Sequence, residues 1–422
     1  MAIFRICITT HTYDNYDEQM NETKEAYLVP QGAVKKLILE HTASTKKRKD
    51  FNSHYFYFLH TIKTRPYIDR RYKTGDYIPV NYNILKGIIS ERQIRTIKAF
   101  FVKHNVLICK KGYVKGEVSK TYKINLEATG NYWKYEPIED KLLNNKIHTH
   151  KKYNMGKVKG KGTGYEIANY WLHDIEIDYR RAYQYAHKYR AVDTDKYNAY
   201  SYSLKELKQR KYRSLIDDNN RMHHNISNLA SIFRKHLTIN GEALGQVDIS
   251  NSQPLFLFLH LTGIEGIDNK ELIRYGESCL QGLFYETIAK ACEIKLTTQT
   301  RKEFKKRIFS TIFFGRHYVD LSKYEIAFKT TYPTIYTYIL NMKQEHGYKV
   351  ISQILQRSEA EFIYKAITYI DKETGRHKIP LLAIHDCIVT TATNINIVRD
   401  KLKEYFIKQL EILPSLKTEL YK

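Results

Sequence analysis

Residues Lys378 to Thr391 read Lys-Ile-Pro-Leu-Leu-Ala-Ile-His-Asp-Cys-Ile-Val-Thr-Thr. Two apolar, strand-like runs are separated there by only His385 and Asp386, so the chain has to reverse in a tight turn with both polar residues at its tip. A second stretch, Gly245-Gln-Val-Asp-Ile-Ser-Asn-Ser-Gln-Pro-Leu-Phe-Leu-Phe-Leu259, puts Asp248 at the end of a β-like run and follows it with small polar residues. Aspartates on two strand ends can meet around a pair of Mg²⁺ ions, because hard divalent cations take oxygen ligands; a two-ion clamp activates a hydroxyl and neutralises a phosphate leaving group. A single strand-end Asp is more often a cap or turn residue, so the reading rests on what lies between the two.

Thr300-Arg-Lys-Glu-Phe-Lys-Lys-Arg-Ile-Phe-Ser-Thr-Ile-Phe-Phe-Gly315 has a helical pattern, with Lys302 and Lys306 at i, i+4 and Phe314-Gly315 two turns further on. Such a helix offers cations to a triphosphate and an aromatic ring to a base or sugar. The order of Asp248, a basic helix ending in aromatic-Gly, then His385-Asp386 resembles the three polymerase motifs of family A DNA polymerases and their single-subunit RNA polymerase relatives. Tyr332-Pro-Thr-Ile-Tyr-Thr-Tyr-Ile-Leu340 is similar to that family's aromatic-Pro segment, and Leu355-Gln-Arg-Ser-Glu-Ala-Glu-Phe-Ile363 to its Gln-bearing helix. Arg221 to Arg234 is similar to a segment that touches template and primer. The resemblance spans roughly residues 215–415.

The resemblance implies an α+β right-hand polymerase, with an antiparallel palm sheet and helical fingers and thumb, acting on a DNA template and primer, or RNA, and on dNTPs, with rNTPs as alternative substrates. It implies two Mg²⁺, with Mn²⁺ as a substitute, held by Asp248 and Asp386 and by the carbonyl of Ile249. His385 would brace the primer terminus, Lys306 and Lys302 would bind the triphosphate, and Phe314 would pack on the nascent base pair beside Gly315. Gln253 would lie over the sugar, and Arg221, Arg234 and Gln356 would contact the strands. Several positions depart from the pattern. Lys302 replaces the usual Arg and loses bidentate phosphate contact; Gln253 is neither the Glu of the DNA enzymes nor the Gly of the RNA enzymes; Phe314 lacks the usual hydroxyl. Ser310 occupies the mid-helix aromatic position of many DNA polymerases, and Cys387 follows His385-Asp386. A bulky Gln253 with no phenol at 314 leans towards deoxyribonucleotides.

Charge points the same way. Lys plus Arg total 69 against 45 acids, a net +24, with 36 tyrosines interleaved, which suits a polyanionic partner, most plausibly nucleic acid. Cys7, Cys109, Cys279, Cys292 and Cys387 form no CxxC pair, so neither a zinc site nor a disulfide framework is indicated, and a reducing cytoplasm is expected. There is no apolar run of membrane-spanning length and no charged leader before the strand-like residues 1–10, so no membrane partner is expected.

In the N-terminal part, Tyr77 to Ile89 reads as a short helix, Ser90-Glu-Arg-Gln93 as a capping box, Arg92 to Val106 as a second helix, and Val106 to Leu126 as a β pair around Gly112 and Gly116. Helix, helix, hairpin resembles the winged helix of plasmid and phage replication proteins. Arg92, Arg95 and Lys98 would face phosphates from the helix, and Lys115 and Lys120 from the wing. Residues 146–165, with six lysines, four glycines and no acid, read as a flexible cationic linker. The expected division is therefore 1–145 winged-helix-like, 146–165 linker and 166–422 polymerase. Within the last, 166–235 is thumb-like, turning helical and rich in Tyr, Arg and Lys from Glu166 to about Asn220 with a capping box at Ser203 to Glu206; 236–260 and 345–422 form the palm and 261–344 the fingers. Neither a second carboxylate cluster for proofreading nor a P-loop is found. A compact polymerase without editing, serving replication of a mobile element, is the first reading, with a defence or repair role left open. An RNA polymerase or primase that starts without a primer, and a non-catalytic replication initiator, are the alternatives.

Overall fold

The apolar residues collect in two units, residues 1–153 with 193–199, and residues 154–192 with 200–422. The computed structural model describes residues 26–44, 51–69, 71–80, 85–110, 120–155, 162–209, 212, 214–316 and 320–421, of which 148 and 150–155 by backbone alone. The strand-like residues 1–10, Lys115, Gly112 and Gly116 lie outside them. No described helix is long and apolar enough to cross a membrane.

In the first unit β1 (Ala26–Pro30) leads into α1 (Ala33–Ser44) and α2 (Asn52–Lys63), followed by β2 (Ile78–Pro79) and α3 (Glu91–Lys103). Then come β3 (Leu107–Cys109), β4 (Thr121–Ile124) and β5 (Trp133–Pro137). β1 pairs antiparallel with β5, and β2, β4 and β3 form a sheet in that order. Helix α3 starts where the capping box was expected: Ser90 accepts from the Gln93 N–H and the Gln93 side chain reaches back to the Ser90 N–H. Its Ile94, Ile97, Phe100 and Phe101 are buried against Tyr55 and Phe58 of α2, each large side chain contributing about 1.5–3 kcal/mol of burial.

Two expectations for this region change. Ile78–Pro79, expected in a helix, is a strand paired with Thr121–Tyr122; the helical apolar count there came from residues that a two-residue pairing places one by one. Residues 146–155, expected to be flexible, continue a helix from Lys141 to Met155. Leu143 and Ile147, one turn apart, are buried in the first core and hold that helix despite its lysines.

In the second unit α4 (Thr163–Leu172) is followed by β6 (Ile175–Ile177), a helix at Tyr179–His187, the helix Thr194–Lys208, of which the residues from 200 on belong to this unit, and β7 (Ser214–Ile216) paired with β8 (Met222–His224). The stretch expected to be wholly helical thus contributes a strand, because Ile175 and Ile177 pair with Ile239 and Leu237. Ser203, expected to cap a helix, lies inside one.

The main sheet is built on β10 (Glu242–Ile249). One edge of β10 pairs with β12 (Cys387–Thr391), which pairs in turn with β11 (Leu382–Ile384); its other edge pairs with β9 (Leu237–Ile239) at one end and β13 (Leu416–Leu420) at the other, all antiparallel. Asn240 and Gly241, both at positive φ, make the two-residue turn between β9 and β10. Helices α5 (Ser252–Leu261), α6 (Asn269–Leu280), α7 (Phe284–Ala291) and α8 (Thr298–Ile308) follow, then α9 (Lys323–Thr331) and α10 (Pro333–His346). The long α11 (Val350–Thr374) precedes β11, and α12 (Ile395–Leu410) lies between β12 and β13. Buried Glu271 of α6 accepts the N–H groups of Thr334 (3.0 Å) and Ile335 (2.8 Å), two donors that the first turn of α10 leaves without intrahelical acceptors.

Two contacts seat α11 and the hairpin. At Gly164 of α4 a Cβ would stand 1.9 Å from the Tyr364 carbonyl oxygen, so α4 and α11 touch backbone to backbone, with Tyr165 stacked on Tyr364 at 3.7 Å. Buried His224 donates from Nε2 to the Ala383 carbonyl (2.8 Å) while Nδ1 accepts the Ser227 N–H (3.2 Å), so β8 holds β11 through a neutral imidazole. Burial pushes its pKa from 6.5 to about 4. Between those values the unfolded chain carries a proton that the folded chain does not, so stability falls as pH drops through this window, by on the order of 3 kcal/mol from this residue. The melting temperature is expected to fall steeply between pH 6.5 and 4, and His224→Phe to flatten that slope while lowering stability at neutral pH; thermal unfolding followed across pH checks both.

Candidate active site

Antiparallel pairing brings the expected carboxylates together. Asp248 near the end of β10 stands directly opposite Cys387 on one neighbour and Lys417 on the other, so all three side chains project from one face of the sheet. The hairpin β11–β12 closes through His385 and Asp386 alone, with Ile384 opposite Cys387 and His385 at φ 56°, the left-handed conformation two-residue hairpin turns require. Asp386 therefore stands next to Cys387, and one donor atom from each of Asp248, Asp386 and Cys387 fits within 4.8 Å of the others. The Cys387 thiol donates to Asp248 Oδ1 at 3.4 Å and lies 3.8 Å from Asp386 Oδ1. Beyond Asp248 the Ser250 N–H donates to the Ser415 carbonyl (3.0 Å), and Asn251 turns left-handed (φ 54°) into α5. Ile249 has its side chain buried and faces Leu416 in the sheet.

Burial and the neighbouring Asp386 raise the Asp248 carboxyl to about 6, against the thiol hydrogen bond and the charges of Lys305 and Lys417. Burial and both carboxylates push the Cys387 thiol up. Desolvation lowers His385, opposed by the neighbouring Asp386 and aided by Arg221 and Arg234.

Among the lysines of α8, the one whose charge reaches Asp248 is Lys305. Its ammonium sits 5.7 Å over the Tyr285 ring and 5.6 Å over the Phe309 ring, while Lys302 and Lys306 of the same helix are exposed. The Arg301 guanidinium lies 5.4 Å over the same Tyr285 ring and pairs with Glu286 at 2.7 Å. Past α8 the helix widens into a π turn, Phe309–Phe313, where the Phe314 N–H donates to the Phe309 carbonyl (2.8 Å) and the two rings stack at 5.3 Å. Buried Lys343 of α10 donates to the carbonyls of Ile312 (2.6 Å) and Gly315 (2.9 Å), and its pKa falls to about 8 through burial. A Cβ at Gly315 would meet the Ser310 carbonyl oxygen at 2.1 Å, so only glycine fits that close turn. Exposed Ser310 donates to the Arg307 carbonyl (3.0 Å).

Other expected residues fall on supporting contacts. Arg221 is ion-paired with Glu359 of α11, a side chain 1% exposed that also accepts the Ser252 hydroxyl (2.5 Å). Burial and Asp386 raise Glu359, opposed by Arg221. Gln356, one turn earlier, accepts from the Asn219 amide (3.0 Å). Arg234 contributes its charge at Cys387, His385 and Tyr421. Gln253 Oε1 and Ser250 Oγ, five and two residues past Asp248 in the chain, are buried without hydrogen-bond partners, and so is the Tyr285 hydroxyl, which feels the charge of Asp386. In the first unit Arg92 is exposed at the start of α3, Arg95 pairs with Glu91, and Lys98 packs 5.0 Å over the Tyr122 ring. Exposed Lys120 adds its charge at Lys98. Sequence patterns did not single out Lys305, Tyr285, Glu359 or Lys417. Glu359 lies three residues after Gln356 on the same helix face and was legible on that ground; the others depend on register and packing.

The two carboxylates suit a hard divalent cation, and the sulfur beside them does not belong to that donor class. Because Asp248 must ionise to bind a cation and does so at about 6, Mg²⁺ affinity is expected to be level above about pH 7 and to fall about tenfold per unit below 6. Calorimetric titration at stepped pH checks this; an affinity that stays level down to pH 5 removes Asp248 from the ligand set.

No protein-family model matches the chain, and no curated protein matches it in sequence. Among solved structures, the POL domain of Pol1 from M. smegmatis, in complex with DNA primer-template and dNTP, superposes with a TM-score of 0.40 and 10% identity, over 63% of this chain and 66% of that one. The chain thus spans a little under two thirds of its own length in that alignment and about two thirds of the polymerase domain.

Proposed function

We propose that the second unit is a template-directed nucleotidyltransferase that extends a primer with deoxynucleoside triphosphates. One observation carries the reading: Asp248 and Asp386, from a strand end and a hairpin tip, converge beside Cys387 within 4.8 Å, and the charge of a lysine from a basic helix reaches Asp248. Asp248 and Asp386 would hold Mg²⁺, which when bound lowers the pKa of a primer hydroxyl and offsets charge on the leaving pyrophosphate. Lys305, pinned between two aromatic faces, supplies a fixed positive charge for the triphosphate, and Arg301 lies next to it. The stacked Phe309 and Phe314 offer a flat apolar wall to a base pair, with Lys343 fixing the turn that carries them. His385, at the hairpin tip, would donate to a strand end. The buried, unpartnered Gln253 carbonyl suits a contact to the sugar.

For the first unit the reading is a winged-helix-like DNA-binding domain. It is supported by the order α2, β2, α3, β3, β4, by the sheet order β2-β4-β3, and by the exposed Arg92 at the start of α3. Coupled to a polymerase, such a unit suits origin recognition in a small replicon.

The test is extension of a labelled primer on single-stranded DNA with Mg²⁺, in parallel with deoxy- and ribonucleotides and with the primer omitted. Incorporation that follows the template and is abolished in Asp386→Asn is the expected result. Lys305→Ala should lower kcat/KM on the order of 10²-fold, more than Lys302→Ala or Lys306→Ala. No incorporation in any lane, with duplex binding intact, replaces the enzyme by a non-catalytic initiator. In electrophoretic titrations Arg92→Glu should weaken duplex binding and lower the slope of log K against log salt by about 0.9 for each phosphate no longer neutralised.

A further inference from the structure

The thiol of Cys387 is placed as a ligand, not as a spectator. Its side chain is buried, it is the direct cross-strand partner of Asp248, and it is the chain neighbour of Asp386. Donors at about 2.3 Å (sulfur) and about 2.1 Å (oxygen) around one tetrahedral cation stand about 3.6 Å apart. The observed sulfur-to-oxygen separations, 3.4 Å to Asp248 and 3.8 Å to Asp386, bracket that value. A second observation concerns one hydroxyl near Asp386 and another two residues past Asp248 in the chain. The Tyr285 hydroxyl, on a side chain 1% exposed, and the Ser250 hydroxyl, on one 4% exposed, are both buried without partners. The Tyr285 hydroxyl is close enough to Asp386 to feel its charge. Native structures leave few such groups unsatisfied unless something unrecorded fills the space.

We propose that Cys387 is a direct sulfur ligand in this centre, so that with Asp248 and Asp386 it binds one thiophilic divalent cation of the Co²⁺, Zn²⁺ and Cd²⁺ class in preference to Mg²⁺. This rests on the reading of the two aspartates as cation ligands. Hard Mg²⁺ does not take sulfur into its shell, whereas borderline and soft cations gain from it. On binding, the Cys387 S–H bond breaks, its proton passes to solvent, and a sulfur–metal bond forms with no change of oxidation state.

The experiment titrates the full chain with Co²⁺ and Cd²⁺, reads thiolate-to-metal charge-transfer absorption, and measures Cd²⁺ and Mg²⁺ affinity by calorimetry. Wild type and Cys292→Ser, which changes a cysteine outside the site, should show the band at one cation per chain. Cys387→Ser and Cys387→Ala should lose it, with Cd²⁺ affinity down at least about 10-fold and Mg²⁺ affinity within about threefold of wild type. Mg²⁺ binding also reports that the variant site is intact. A band that persists without Cys387, or Cd²⁺ bound as tightly by Cys387→Ser, overturns the proposal and leaves the two-aspartate reading standing. Cation binding that is absent, or indifferent to Asp386→Asn, removes the aspartate site and the sulfur ligand with it. A Cys387-dependent band in a protein that extends no primer keeps this inference and overturns only the polymerase.

Discussion

Two carboxylates a few ångströms apart and largely out of water repel each other, and the second unit is arranged to hold them there. The raised Asp248 is the direct sign of that strain, since burial and the Asp386 charge both act against its ionised form. What keeps the pair together is not an interaction between them but the register of β10 against β12, five consecutive pairs from Leu244–Thr391 to Asp248–Cys387. A slip of one residue would turn Asp248 to the opposite face of the sheet. Lys417 on the far neighbour and Lys305 from α8 then offset the repulsion from two sides. A cation placed between the carboxylates would do so more completely, which is why such a cluster reads as a site.

The surroundings fix the pair through elements remote in the chain. Arg221 and Glu359 tie the start of β8 to α11, and Ser252 ties the first turn of α5 to the same carboxylate. His224 ties β8 to β11. Removing one partner of a buried ion pair leaves the other charge uncompensated, typically at about 3–5 kcal/mol, so these contacts hold both the strand end bearing Asp248 and the hairpin bearing Asp386. The aromatic side is built differently. A π turn, a glycine that admits no side chain and a buried lysine on two carbonyls shape the aromatic end of the basic helix.

Much of this was legible in the chain. The turn at His385-Asp386, the strand carrying Asp248 near its end and the capping box at Ser90 occur where their residue patterns place them, and the Asn240-Gly241 hairpin carries an equally direct signal. The lysines fared differently. An i, i+4 pattern singled out Lys302 and Lys306, while the charge that reaches Asp248 belongs to Lys305, held by the rings of Tyr285 and Phe309. The helix through residues 146–155 was hidden by its lysines and by the glycines that follow it, because the two residues that anchor it, Leu143 and Ile147, find their partners in a distant core.

The amino-acid sequence by itself determined the local geometry: a two-residue reversal between apolar runs, an acid before a strand-to-helix turn, a basic amphipathic helix. These patterns act over a few residues, where sterics, turn chemistry and periodicity leave few options. The tertiary structure decided the electrostatics: that Cys387 and Lys417 flank Asp248, that Lys305 reaches it, and that Arg221 is consumed by Glu359. Those outcomes follow from strand register and from the helix face turned inward, and both are set by packing between segments far apart in the chain.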